Sequence, residues 1–307
     1  MRLLVVGAGS TGGYFGGRLA AAGRDVTFLV RPRRAARLAA DGLEIVSPHG
    51  DVTVRPKLVT AGDITAPYDA VLLAVKAYSL DAAIADFAAA VGPQTAIIPT
   101  LNGMRHIDVL AARFGESAVA GGVCKVAATI DPEGRIVQLA AFQELAYGER
   151  DGSVSPRMEE LDAFMQGAGF TARLSRAIGY EMWEKWTMLA TLGAITCAMR
   201  GNIGEVVAAP GGASFNLGIL DDVVRIVSAA GEAPTPAFLE GARKALTTPG
   251  STQSPSMYRD LREGSPIEAD QIVGDLLARG GKAGVATPLL AAAYTHMCVY
   301  QQRLAQR

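Results

Sequence analysis

A short apolar run, Leu3-Leu4-Val5-Val6, passes directly into Gly7-Ala8-Gly9-Ser10-Thr11-Gly12. A buried strand followed by G-x-G-x-x-G and then a helix leaves few architectures open, because each glycine answers a separate steric demand. Gly7 permits the tight turn out of the strand. Gly9 lets the backbone approach a pyrophosphate, and Gly12 lets the helix pack close to a sheet. Ala8, Ser10 and Thr11 complete the loop, where free amides and the helix dipole favour a phosphate. The pattern predicts a helix over Thr11 to Ala22 closed by Gly23, and a second strand over Val26 to Val30. Gly16 and Gly17 extend the small face of that helix and are read as packing residues. The expectation is a Rossmann-type site for a pyridine dinucleotide.

The end of the second strand decides which dinucleotide. An Asp or Glu there accepts from a ribose 2'-hydroxyl, as NAD sites require. No carboxylate occurs between Val26 and Arg37, and Arg31 stands nineteen residues after Gly12, with Arg33 and Arg34 following. A guanidinium there pairs with a 2'-phosphate through two hydrogen bonds, so NADP(H) is the expected cofactor.

Further along, helices are read over Arg33 to Ala40 and Leu80 to Ala90. Strands are read over Ala70 to Val75 and Thr95 to Pro99, and β-like runs over Leu43 to Val46 and Val52 to Val54 flank a His49-Gly50 turn. This alternation predicts a doubly wound α/β sheet. From about Ala177 strand signals nearly vanish. Tyr180 to Arg200, Ser214 to Ala230, Pro236 to Leu246, Ile267 to Ala278 and Pro288 to Leu304 read as helices. The expected organisation is a nucleotide-binding domain over 1–176 and an all-helical substrate and catalytic domain over 177–307.

Composition narrows the function classes. Twenty-nine Lys and Arg against thirty Asp and Glu give a net charge of -1, with no basic footprint for nucleic acid or for a membrane surface. No apolar run approaches the roughly 18 residues of a membrane span, and the N-terminus runs into glycines rather than a signal-peptide cleavage site. Cys124, Cys197 and Cys298 are far apart and His49, His106 and His296 do not cluster with them, so neither a disulfide framework nor a metal site is expected. A reducing, cytoplasmic setting is the expectation. The expected partner is a small molecule, and a homodimer is compatible with the sequence.

Ligands of open α/β sheets bind beyond the carboxyl ends of the strands. Lys76 and Asn102 lie just beyond two such ends. In the helical half, Lys185, Leu189 and Gly193 are four apart and share one helix face. Lys185 there either snorkels to water or lines a cleft. Ser254 and Ser256 are candidates for helix caps, and Asp260 and Glu268 for solvent-facing acids.

Taken together, GAGSTG at 7–12, Arg31, VKA at 75–77, LNGM at 101–104, WEK at 183–185, SMYRD at 256–260 and IEADQIVG at 267–274 make the chain resemble the ketopantoate reductase family along nearly its whole length. The resemblance implies a Rossmann domain followed by a helical domain, and NADPH-dependent reduction of 2-dehydropantoate to (R)-pantoate on the route to pantothenate and coenzyme A. It implies Lys185 as proton donor. Lys76 and Asn102 would bind cofactor and orient substrate, and Ser256 would contact substrate. Glu268 would act at the nicotinamide ribose or on Lys185, which it would keep charged. Ala128 would offer a backbone contact to the cofactor.

The chain also departs from the family pattern. Asparagines one and two turns after the catalytic lysine are replaced by Leu189 and Gly193. Thr187, Thr191 and Thr196 are the nearby polar residues, and Asn202 lies near another family asparagine. The departure admits a second expectation, a paralogous NADPH-dependent reductase of a bulkier or less polar 2-oxo acid or ketone. A third is a non-catalytic NADP(H) sensor, which would have no use for a proton donor.

Overall fold

A computed structural model describes residues 1–306. The chain divides into two compact units. One holds Met1–Leu101 and His106–Gly179, the other Asn102–Arg105 and everything described from Tyr180 onward.

The first unit begins with β1 (Leu3–Val6), α1 (Ser10–Ala21), β2 (Val26–Leu29), α2 (Pro32–Asp41), β3 (Leu43–Val46), β4 (Val52–Val54) and β5 (Lys57–Val59). It continues with β6 (Ala70–Leu73), α3 (Leu80–Phe87), β7 (Ala96–Pro99), α4 (Arg105–Phe114), β8 (Gly121–Ile130), β9 (Ile136–Gly148), α5 (Pro156–Met165) and β10 (Thr171–Leu174). Five strands form a parallel sheet in the order β5-β2-β1-β6-β7. Every residue of β1, β6 and β7 is buried, which is why these strands read as unbroken apolar runs. The chain leaves β1 toward β2 and later returns to its other side as β6. Strand order reverses there, the point at which open α/β sheets take their ligands beyond the carboxyl ends.

A second sheet runs β10-β9-β3-β4, with β8 paired antiparallel to β9. The two β-like runs around the His49-Gly50 turn are β3 and β4, which pair with each other and join this sheet rather than the parallel one. Helix α1 packs on both sheets. A Cβ at Gly16 would lie 2.7 Å from Phe28 of β2, and one at Gly17 would lie 2.7 Å from Leu43 of β3. The paired glycines allow both close approaches at once, in keeping with their reading as packing residues. Strand β9 carries a four-residue bulge, Leu139 to Phe142, between Gln138 and Gln143. The buried Gln138 amide donates to Ala140 O at 2.7 Å and anchors it.

The second unit is helical: α6 (Ile178–Met199), α7 (Ile203–Ala208), α8 (Gly212–Ala230), α9 (Pro236–Thr247), α10 (Ser256–Arg262), α11 (Asp275–Lys282) and α12 (Pro288–Ala305). Its core gathers Trp183, Trp186, Ile219, Val223, Leu276, Leu290 and Met297. The stretch read as one helix over Ile267 to Ala278 is broken up. Residues 265–268 carry no regular secondary structure, Asp270–Gly274 form a π-helical turn, and α11 follows. The division into units differs from a single cut at 176/177 in two respects. The helical unit starts at Tyr180, and it takes in Asn102–Arg105, whose Met104 packs against the helical core.

Candidate active site

The glycine-rich turn has the geometry a pyrophosphate needs. Gly7 has φ +95°, which L side chains rarely adopt, and a Cβ there would lie 3.0 Å from Ala74 O. At Gly12 a Cβ would lie 2.1 Å from Gly7 O and 2.9 Å from the Ala74 side chain, so only glycine allows this turn and helix to meet β6's exit loop. Gly9 faces open space, with nothing within 4 Å of where its Cβ would be. It is also the N-cap of α1 and supplies no side-chain cap, and the first turn carries no acid. The leading amides of α1, from Ser10 and Thr11 onward, therefore open onto space in a positive helix-end field.

Arginines also open the helix that follows β2. Arg31 is exposed and is the N-cap of α2, two residues beyond β2. Arg34, one turn along, donates from Nη2 to Ala8 O at 3.3 Å and so ties α2 to the glycine loop. Burial, and then the charge of Arg37, pull the Arg34 guanidinium below its ordinary pKa. Both influences oppose the cation, and a bound anion would offset them. Lys76 follows β6 by three residues and is half-buried at the head of a 3₁₀ turn, Ala77–Ser79. Gly7, Arg31 and Lys76 thus stand beyond the carboxyl ends of β1, β2 and β6. Ala128 lies on β8 opposite Gln138, at the edge of the β9 bulge.

The remaining candidates belong to the helical unit. Lys185 is half-buried on α6, and its neighbour Trp186 donates its indole N–H to Ile272 O at 2.8 Å. Ile272 lies in the π turn, directly after the segment that carries Glu268. Glu268 is buried rather than solvent-facing. The Asn102-Gly103 turn docks on the same π turn, where Gln271 Nε2 donates to Asn102 O at 3.2 Å. Ser256, half-buried, opens α10, whose N-cap is Pro255; neither Ser254 nor Ser256 caps this helix. Asn102, Lys185 and Glu268 are therefore held on one hydrogen-bonded scaffold, although sequence position had grouped Asn102 with the nucleotide domain.

The face of α6 beyond Lys185 is apolar. Leu189 is half-buried one turn on. At Gly193 a Cβ would lie 2.3 Å from Met257 Cε, so the thioether of the residue after Ser256 fills the space that the glycine leaves. The nearby threonines supply no polarity in compensation. Thr187, Thr191 and Thr196 are fully buried, and each hydroxyl donates to the carbonyl four residues back, at 2.8, 2.8 and 2.7 Å. Asn202 is committed as well, its side chain capping α7 by accepting from Glu205 N at 2.9 Å.

Sequence reasoning passed over Arg34 as a contact to the glycine loop, and over Trp186, Met257 and Gln271. Arg34 carried a readable signal, one helical turn beyond Arg31. The other three act through contacts between distant segments and left no local trace.

The same architecture occurs in known proteins. Residues 3–152 match the family model described as ketopantoate reductase PanE/ApbA, and residues 177–301 match its C-terminal model. An uncharacterized oxidoreductase, YkpB, of Bacillus subtilis (strain 168) is 33% identical over 98% of this chain and 99% of its own. A 2-dehydropantoate 2-reductase of Halobacterium salinarum is 28% identical over 94% and 95%. The crystal structure of a 2-dehydropantoate 2-reductase from Geobacter metallireducens GS-15 superposes with a TM-score of 0.86 at 27% identity, covering 97% of this chain and 99% of that one. With both halves of the chain matched in order, the protein belongs to the ketopantoate reductase PanE/ApbA family of oxidoreductases.

Proposed function

We propose that the protein reduces a 2-oxo acid to the 2-hydroxy acid with NADPH. The observation that carries this reading is the scaffold joining Lys185, Glu268 and the Asn102 turn through Trp186, Ile272 and Gln271. A bound nicotinamide supplies the hydride to the carbonyl carbon. As that carbon is reduced, charge grows on the carbonyl oxygen. The Lys185 ammonium stabilises this charge and gives up a proton to it, leaving the hydroxyl. Asn102 and Ser256 orient the substrate, Glu268 acts at Lys185 or the nicotinamide ribose, and Lys76 holds cofactor. The open cradle at Gly9 takes the pyrophosphate, with Ala128 as a backbone contact. Arg31, supported by Arg34, takes the 2'-phosphate, and the absence of any acid there favours NADP(H) over NAD(H).

Two substrate readings are separable. Whole-length similarity to proteins named 2-dehydropantoate 2-reductase supports 2-dehydropantoate. The apolar face formed by Leu189 and by Met257 over Gly193 favours a 2-oxo acid whose side chain carries no hydroxyl, because a hydroxyl set against that face would find no partner. The test is to follow nicotinamide absorbance with 2-dehydropantoate beside branched and aromatic 2-oxo acids, with NADH as a parallel donor. Turnover lost in Lys185→Ala, with NADPH binding kept, is the expected result. Silence across the panel from protein that binds NADPH would sink the reductase reading and leave a sensor of NADP(H).

A further inference from the structure

The π turn Asp270–Gly274 is held from three sides within the helical unit. Trp186 of α6 donates to Ile272 O at 2.8 Å, and Tyr294 of α12 donates to Asp270 Oδ1 at 2.6 Å. On the third side lies the Asn102-Gly103 turn. Gly103 has φ +82°, and a Cβ there would lie 2.6 Å from Gln271 O, so the two backbones touch at a point no other residue would fit. The buried Gln271 side chain then closes the contact by donating to Asn102 O at 3.2 Å, across 169 residues of sequence. Such turns are uncommon inside helices, and they reorient the residues around them.

We infer that Gln271 is a positioning residue: it fixes the Asn102 turn on the π turn and acts on the reaction only through Asn102. This rests on the reading above that Asn102 meets cofactor and substrate. The side chain of Asn102 has one useful direction, and its own backbone carbonyl is the handle by which Gln271 sets it. The Glu268 segment leads into the same π turn, and the Trp186 bond ties that turn to the helix of Lys185. Gln271 thereby keeps Asn102 in register with both.

The test uses full-length protein with Gln271→Glu, which keeps the shape but replaces the amide donor by an acceptor, and Gln271→Met, which keeps length without polarity. Asn102→Ala and the two double variants complete the set. Measured are NADPH affinity by fluorescence titration, kcat and KM with the oxo acid that the panel identifies, and amide hydrogen exchange across residues 102–105. Misplacement of a positioned group lowers rate by roughly ten- to a hundredfold. The expected result is a loss of that order in kcat/KM, in whichever of kcat and KM moves in Asn102→Ala, with faster exchange confined to residues 102–105. Each double variant should match Asn102→Ala alone.

Impaired Asn102→Ala beside a Gln271→Glu and a Gln271→Met that both match the parent in titration, kinetics and exchange would overturn the positioning role alone. An Asn102→Ala variant that behaves as the parent would overturn the functional reading of Asn102, and the inference with it. Effects that add in the double variants would show Gln271 acting elsewhere and would equally overturn it.

Discussion

The indole N–H of Trp186 and the carbonyl oxygen of Ile272, 86 residues apart, meet at 2.8 Å inside the helical core. The bond satisfies a carbonyl in the π turn and places the residue after Lys185 against the segment after Glu268. Trp186→Phe keeps an aromatic ring beside Trp183 but leaves that buried carbonyl without its donor, at a cost of about 1–3 kcal/mol. A lower denaturant midpoint with an unchanged slope is the expected outcome in equilibrium unfolding.

Gly193 and Met257 form a size-matched pair. Gly193→Ala places a methyl 2.3 Å from the Met257 Cε, and overpacking of this kind costs about 1–3 kcal/mol. The obstructing atom ends a flexible side chain, so Met257→Ala in the same molecule should recover much of that loss. In kinetics, Gly193→Asn with Met257→Ala should shift the kcat/KM ratio toward a hydroxyl-bearing oxo acid by about tenfold or more. An unchanged ratio would mean that this face does not meet the substrate.

On the proposed reading, Arg31 and Arg34 should separate the two nicotinamide donors. Charge-assisted hydrogen bonds are worth about 1.5–3 kcal/mol. Arg31→Ala should therefore weaken NADPH binding by roughly ten- to a hundredfold while NADH affinity hardly moves. Arg34→Ala should weaken both, because its bond to Ala8 O also holds the glycine loop. Isothermal titration of each variant with each dinucleotide reads this directly.

Acid sensitivity should have an identifiable source in Glu149. Burial raises its pKa, but Arg157, bonded to both carboxylate oxygens at 2.7 Å, and Ser155 at 2.6 Å outweigh burial and hold it below the ordinary carboxylate value. A group lowered on folding stabilises above its unfolded pKa, and that contribution is lost as pH falls through the folded one. Glu149→Gln should therefore melt at lower temperature at neutral pH, by about 1–3 kcal/mol in stability. The difference from the parent should close as the medium becomes acidic. A constant difference across the range would assign the effect to packing.

Much of this was legible in the residues because it is local. Leu3 to Val6, the Gly7–Gly12 turn and the long helices announce themselves by apolar runs, obligatory glycines and period. Strands β3 and β4 and their turn were equally readable, but their membership in a second sheet was not, since that depends on β9 pairing in parallel from 91 residues away. Strand β5, Lys57-Leu58-Val59 directly after Pro56, shows no alternation to mark it, and β8 and β9 were blurred by the bulge at Leu139 to Phe142. The π turn sits on an ordinary helical pattern and is fixed by Trp186 and Tyr294, which act across the fold. The roles proposed for Lys185 and Glu268 come from resemblance; the apolar filling of the space at Gly193 could be found only in three dimensions.

The 169-position separation of Asn102 and Gln271 also sets a schedule. On a ribosome adding about 5–20 residues per second, the Asn102 turn emerges on the order of ten seconds before its partner exists. Leu101 and His106, on either side of it, belong to the unit that can condense first. The nascent chain can therefore assemble its glycine-rich turn while a turn of four residues waits for the last third of the message. On the proposed role of Asn102, competence for chemistry arrives as a late event of synthesis, well after the first unit is in place.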